Sequence, residues 1–235
     1  MRTLIVTGTG TGVGKTVVTA AVATLAAAAG ERVVVLKPAQ TGIEPGAPGD
    51  LADVTRLTGG AVAVRELARY PDPLAPATAA RRSGRAPLRV ADVTAAASDT
   101  AAGPGVDLLL VEGAGGLLVR LNDDGETLGD VATALDAPVL LVASAGLGVL
   151  NTAALTAEAL DRRHLTFTGT VVGAYPEQPD LAERTNLADL PTVTGAPLLG
   201  VLPEGLGRAD PQGFTEAARC GLHPVLGGQW VPPLP

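Results

Sequence analysis

The chain has 235 residues, a formal net charge of −7 and 46% hydrophobic residues, a balance that suits one α/β domain with a sizeable core and argues against a general nucleic-acid binder. The single cysteine, Cys220, cannot form an internal disulfide, and His164 and His223 lie far apart, so neither a zinc cluster nor a Cys/His nucleophile pair is expected. No apolar stretch approaches the roughly 18–20 residues that span a bilayer, and a motif beginning at residue 8 leaves no room for a secretion signal, so the expected location is cytoplasmic.

In chain order, residues 3–7 read as a short buried strand. Gly8-Thr9-Gly10-Thr11-Gly12-Val13-Gly14-Lys15-Thr16 follows directly. It is close to the phosphate-loop pattern G-x-x-x-x-G-K-[ST], but Thr9 stands where the first glycine belongs. Thr16 to Ala29 predicts an alanine-rich helix ending at Gly30. Residues 32–36 predict a β-branched strand, 38–50 a Gly/Pro-rich loop and 51–58 a helix. Residues 61–104 are expected to be irregular, with Pro71, Pro73, Pro76 and Pro87 dividing short helical pieces. Buried strands follow at 106–111 and 138–143, then a helix from Asn151 to about Arg163, then strands at 168–172 and 197–201. Beyond Pro203 the chain reads as a peripheral tail with one short helix near 213–220. There is no repeat and no linker, so 1–235 is expected to be a single domain.

The strands are continuous apolar runs, the pattern of a parallel sheet covered on both faces. Strands alternating with helices predict a doubly wound α/β fold. Ligands of such sheets gather at the carboxyl ends of the strands. That rule groups the 8–16 loop, the loop starting at Lys37, the segment Glu112-Gly113-Ala114-Gly115-Gly116 and the loop starting at Gly173.

Glycines at 8–14 let backbone N–H groups converge on phosphate oxygens, and the helix behind them adds its positive end. Lys15 would reach the β- and γ-phosphates and Thr16 would hold Mg²⁺. Of the 17 basic residues only Lys15 and Lys37 are lysines. A compact ammonium suits a crowded oxyanion where a planar guanidinium does not. Mg²⁺ keeps several waters, so two or three protein oxygens suffice. Thr16 and Glu112 are candidates, as are Asp50 and Asp53. Asp50 precedes a predicted helix and has a lesser reading as its N-cap, and Asp53 reads as a solvated acid of the first turn. Gly113, Gly115 and Gly116 suit a backbone that approaches a ligand closely. A dinucleotide-binding reading fails, because Lys37 stands where an acid should follow the second strand.

Three further segments make the pattern specific: Lys37-Pro38-Ala39-Gln40-Thr41-Gly42, Val111-Glu112-Gly113-Ala114-Gly115-Gly116 and Leu147-Gly148-Val149-Leu150-Asn151. With the first loop they make the chain resemble the dethiobiotin synthetases over about residues 1 to 203, and the displaced first glycine is a feature of that family. The resemblance implies an ATP-dependent ring closure of 7,8-diaminononanoate with CO2, through a carbamate and a mixed carbamic-phosphoric anhydride. It implies Lys15, Lys37 and Thr11 as catalytic residues and Mg²⁺ on Thr16, Asp50 and Glu112. It implies nucleotide contacts at Gly12, Val13, Gly14, Lys15, Thr16, Val17, Asp50, Glu112, Gly113, Ala114 and Gly115, and base contacts at Gly173, Ala174, Leu202, Pro203 and Glu204. It implies substrate contacts at Thr11, Lys37, Thr41 and Gly148, Val149, Leu150 and Asn151, the last four across a homodimer interface. Members often carry Asn-Asp where this chain has Gly173-Ala174. Neither of these side chains can read a base, so CTP or other triphosphates are expected to serve beside ATP. A nucleotide-switched ATPase of the partitioning or delivery type is the alternative; such proteins usually carry a lysine where Gly10 stands here. A glutamine-dependent synthase would need a further domain with a nucleophilic cysteine, for which the chain is too short.

Overall fold

The computed structural model describes residues 1–103 and 105–232. Its strands are β1 (Arg2–Gly8), β2 (Val33–Thr41), β3 (Ala63–Tyr70), β4 (Leu108–Gly116), β5 (Val139–Ala143), β6 (Phe167–Tyr175) and β7 (Leu198–Pro203). They form one sheet in the order β3-β2-β4-β1-β5-β6-β7, with every neighbouring pair parallel. Alternate residues of the central strands feed opposite faces. Leu4, Val6, Leu110, Leu140 and Val142 pack with helices α1 (Lys15–Ala28), α2 (Asp50–Leu57) and α8 (Pro211–Gly221). Ile5, Leu109, Val111 and Val139 pack toward α3 (Pro76–Ser83), α4 (Val90–Ala102) and α5 (Leu128–Ala134). Leu141 and Ala143 meet Val149 and Ala153 of α6 (Val149–Asp161) and Leu190 of α7 (Leu181–Thr194). The fold is the expected doubly wound parallel sheet of the phosphate-loop nucleotide-hydrolase type. No helix among the described residues is long and apolar enough to cross a membrane.

Three expectations need correction. Residues 61–103 hold the expected helical pieces, α3 and α4, but they open with a strand, β3, that was not expected. β3 is an edge strand bearing Arg65, Glu66 and Arg69, and this breaks the apolar run that marks the inner strands. Pro76 marks a division as expected, because it opens α3, where a first-turn residue needs no N–H donor. Second, the strands outrun their expected ends. β2 continues to Thr41 and β4 to Gly116, so Lys37 and Glu112 lie within the sheet and not at the start of loops. Third, the segment after Pro203 is no peripheral tail. α8 begins at Pro211, capped by the Asp210 carboxylate, and its Phe214 is fully buried in the cluster that includes α1. The chain then turns back, and the Trp230 N–H donates to the Leu222 carbonyl at 2.8 Å.

Candidate active site

The phosphate loop leaves β1 at Gly8 and enters α1 through Gly14, whose φ of 92° lies in the left-handed region. A Cβ on Gly14 would stand 2.6 Å from the Gly173 carbonyl oxygen, and one on Gly173 would stand 2.2 Å from that of Val13. The loop is therefore seated backbone to backbone on the end of β6, and only glycine fits either place. No side chain caps α1, so its first N–H groups stay available to an anion.

Beside the loop, β2 and β4 run in register with Leu36 opposite Val111, which makes Lys37 and Glu112 neighbours. Glu112 is fully buried and Lys37 is 3% exposed. The Lys37 ammonium donates to Glu112 Oε1 at 2.7 Å and to the Gly113 carbonyl at 3.2 Å, and pairs with Asp50 Oδ2 at 2.6 Å. Three acceptors thus meet its three N–H bonds. Burial alone would push the Lys37 proton affinity down; the charges and hydrogen bonds of Glu112 and Asp50 outweigh it and raise the pKa above the ordinary lysine value. Lys15 shows the opposite balance. Burial, and then the Lys37 charge, lower its pKa despite partial compensation by Glu112 and Asp50. Its ammonium donates to the Gly10 carbonyl at 2.7 Å.

Thr16 Oγ1 donates to Glu112 Oε1 at 2.9 Å, while Glu112 Oε2 is buried without a partner. An orphaned buried carboxylate oxygen is costly. Beside a hydroxyl and a second carboxylate it makes an all-oxygen donor set that fits a hard cation such as Mg²⁺. Among the described residues no three His, Cys, Asp or Glu side chains converge, and Thr16, Asp50 and Glu112 are the residues here that could hold such a cation. Asp53 is not part of it: its carboxylate turns to Arg56 at 2.9 Å on the exposed side of α2. Nor is Asp50 a cap. Gly49 holds the N-cap position, and the Asp50 N–H donates to Gln40 Oε1 at 2.8 Å.

A cavity of about 710 Å³ opens over this cluster. It is lined by Thr11, Gly12, Gly14, Lys15, Thr16, Val17, Lys37, Thr41, Asp50, Ala114 and Gly115, so the loop, the end of β2 and the end of β4 meet as the carboxyl-end rule requires. The other predicted residues lie elsewhere. Val13 and Glu112 are buried, and a Cβ on Gly113 would meet Leu128 Cδ2 at 2.4 Å. Gly113 thus packs against the Leu128 side chain of α5, and Gly116, whose Cβ would approach the Gly8 carbonyl at 3.3 Å, packs against β1; of the three glycines only Gly115 faces the cavity. Gly173, Ala174, Leu202, Pro203 and Glu204 do not line it, nor do Gly148, Val149, Leu150 and Asn151. Sequence reasoning missed a wall formed by Ala39, Gln40, Pro73, Leu74, Ala75, Pro76 and Val119. The closely spaced prolines of Pro71-Asp72-Pro73-Leu74-Ala75-Pro76 were the available signal, since such a rigid segment holds one shape against a ligand.

A family model described as an AAA domain matches residues 2–208. The ATP-dependent dethiobiotin synthetase BioD of Saccharopolyspora erythraea is 63% identical over 230 residues, covering 98% of this chain and 99% of that protein. The protein of the same name from Streptomyces avermitilis is 60% identical over 230 residues, covering 98% of this chain and 95% of that one. Among solved structures, the MinC:MinD cell division protein complex of Aquifex aeolicus contains a chain that matches with a TM-score of 0.59 at 16% identity, over 99% of this chain and 98% of that one. At that identity the likeness extends to the fold alone.

Proposed function

Because the chain belongs to the ATP-dependent dethiobiotin synthetase family, ligases that close the ureido ring by forming C–N bonds, we propose that its two lysines divide the reaction between them. Family membership sets aside the switch-ATPase alternative. One amine of 7,8-diaminononanoate adds to CO2 and sheds a proton, giving a carbamate. A carbamate oxygen takes the γ-phosphoryl group of ATP and ADP leaves. The second amine attacks the carbonyl carbon, the C–O bond to phosphate breaks, and phosphate and a proton depart. Each stage gathers negative charge at oxygen, so positioning and electrostatics carry the catalysis and no nucleophilic side chain is needed.

In this reading Lys15 and the loop N–H groups from Gly12 to Thr16 hold the phosphates. Lys37 turns one of its N–H bonds from the half-exposed Asp50 carboxylate to the carbamate as it forms and is phosphorylated. The hydroxyls of Thr11 and Thr41 hold the diamine end. Ala39, Pro73, Leu74 and Val119 keep water from the anhydride. Thr16, Asp50 and Glu112 would hold Mg²⁺, which when bound supplies neutralising charge to the phosphates. The partnerless Glu112 Oε2 beside the Thr16 hydroxyl supports that assignment. The base rests on backbone near Gly173, Ala174 and Leu202–Glu204. The diamine's distant carboxylate meets the start of α6 of a second subunit, at Gly148–Asn151, in a homodimer. Two observations support the dimer: these residues lie outside the chain's own cavity, and Leu147 beside them is 92% exposed. The same reading places the reaction in the cytoplasm, where ATP is supplied.

The observation that carries the division of labour is the snug three-acceptor seat of Lys37 under the cavity. Lys37→Arg keeps the charge but puts a broad fork where a compact ammonium sits. It is expected to bind ATP normally by calorimetry and to lose most product formation. Normal turnover in Lys37→Arg would overturn the assignment.

A further inference from the structure

Helix α2 starts without a cap of its own. Its N-cap residue is Gly49, which has no side chain to offer, and the first helical residue is Asp50. The missing acceptor comes from Gln40 of β2, a buried side chain whose Oε1 takes the Asp50 N–H at 2.8 Å and whose amide nitrogen donates to the Thr41 carbonyl at 3.3 Å. The seat is tight: a Cβ on residue 49 would lie 2.7 Å from Gln40 Oε1 and 3.2 Å from an Arg69 guanidinium nitrogen. Arg69 in turn is held by both oxygens of Glu66 at 2.7 and 2.8 Å, and donates to the Glu44 carbonyl at 3.3 Å. The loop before α2 and the first turn of the helix are thus tied to β2 and β3 by two side chains that carry no chemistry themselves.

We infer that Gln40 is a positioning residue that sets the Asp50 carboxylate. Gln40 lies three residues along β2 from Lys37, so one strand supplies both the ammonium and the group that fixes the acid facing it. Without the Gln40 acceptor the Asp50 N–H is left unpaired in a half-buried position, and the helix start is free to shift along with its carboxylate. The inference rests on the proposal that Asp50 is a ligand of the divalent cation. Groups that orient a ligand typically alter metal affinity by 10–100-fold.

The test is titration of the full-length protein with Mn²⁺ in the presence of a non-hydrolysable ATP analogue, with free Mn²⁺ read by electron paramagnetic resonance. Asp50→Asn is expected to weaken Mn²⁺ binding. Gln40→Met, which keeps the bulk and removes the acceptor, is expected to weaken it by at least about tenfold. Gln40→Glu, which restores an acceptor oxygen at the helix start, is expected to bind Mn²⁺ within about threefold of wild type, since a carboxylate there serves as a cap too. A role in folding alone would lower the melting temperature of Gln40→Met and leave Mn²⁺ affinity intact. That outcome, with Asp50→Asn weakened, overturns the Gln40 inference and leaves the metal site standing. Unchanged affinity in Asp50→Asn overturns both. Hydrogen exchange on the wild-type protein needs no variant: the Asp50 amide is expected to be protected, and exchange at the rate of an unstructured peptide would overturn the inference whether or not Gln40→Met folds.

Discussion

Lys15 and Lys37 share one cavity, yet their surroundings push their proton affinities apart. The Lys15 pKa is lowered from 10.5 by burial and by the Lys37 charge, and that of Lys37 is raised by Glu112 and Asp50. As pH climbs, Lys15 therefore gives up its proton first. Its ammonium is present below the lowered pKa and lost above it, while Lys37 stays charged. ATP affinity is accordingly expected to weaken on the alkaline side, beginning below the ordinary lysine range. In Lys15→Arg, where the charge persists at any practical pH, that alkaline fall should vanish even if the overall affinity drops. Calorimetric titrations with a non-hydrolysable ATP analogue at rising pH read this directly. A wild-type affinity that stays flat until past 10.5 would remove Lys15 as the phosphate ligand. Both lysines were legible in the sequence, because they are the two that remain among fifteen arginines. Gln40 was not: its partner is a backbone N–H ten residues on, and backbone partners leave no mark in composition.

At the scale of elements, the buried strands β1, β4 and β5 were readable because continuous Leu and Val runs have few other uses. β3 was not, because an edge strand keeps charges on it. α5 and α7 carried their start signals, Thr127-x-x-Asp130 and Asp180-x-x-Glu183, but α7 buries only Asn186, Leu190 and Thr194, too thin a stripe to show as helical periodicity. The proposed base site at the end of β6 also bears on which nucleotides serve. Gly173 is pressed against the phosphate loop, Ala174 has no polar group, and the Tyr175 ring packs on the cluster of Leu141 and Leu190. The neighbouring strand end adds backbone, with the Glu204 N–H donating to the Tyr175 carbonyl at 2.8 Å. A site without side-chain hydrogen bonds to a base discriminates weakly. CTP or GTP is therefore expected to support product formation within roughly tenfold of ATP, a gap of about 1.4 kcal/mol. Assays with ATP, CTP, GTP and UTP at equal, subsaturating concentration decide the matter. A preference for ATP above about a hundredfold, or roughly 2.7 kcal/mol, would mean that backbone groups read adenine unaided.

For the whole molecule, the α6 start, where Asn151 is exposed and the Gly148 backbone is left-handed, does not line the cavity of its own chain, and in the proposed homodimer a two-fold partner would bring its copy there. Mixing Lys37→Ala with Asn151→Ala tests this, because a mixed dimer rebuilds one whole site out of two. With random subunit exchange half the dimers are mixed, so about a quarter of wild-type activity should return. No recovery, with exchange verified by mass, would mean that each subunit is self-contained. The order of the strands has another consequence, in time. β1, which leads into the phosphate loop, precedes both of its sheet neighbours in the chain by a long way, yet it sits between them, β4 on one side and β5 on the other. Arg2 must wait for Leu108, its partner in register. At about 5–20 residues per second that wait lasts roughly 5–20 s. Throughout it Ile5 and Val6, which end fully buried, have neither neighbouring strand. The segment GTGTGVGKT therefore leaves the ribosome well before β4 and β5, the two strands that flank β1 in the finished sheet.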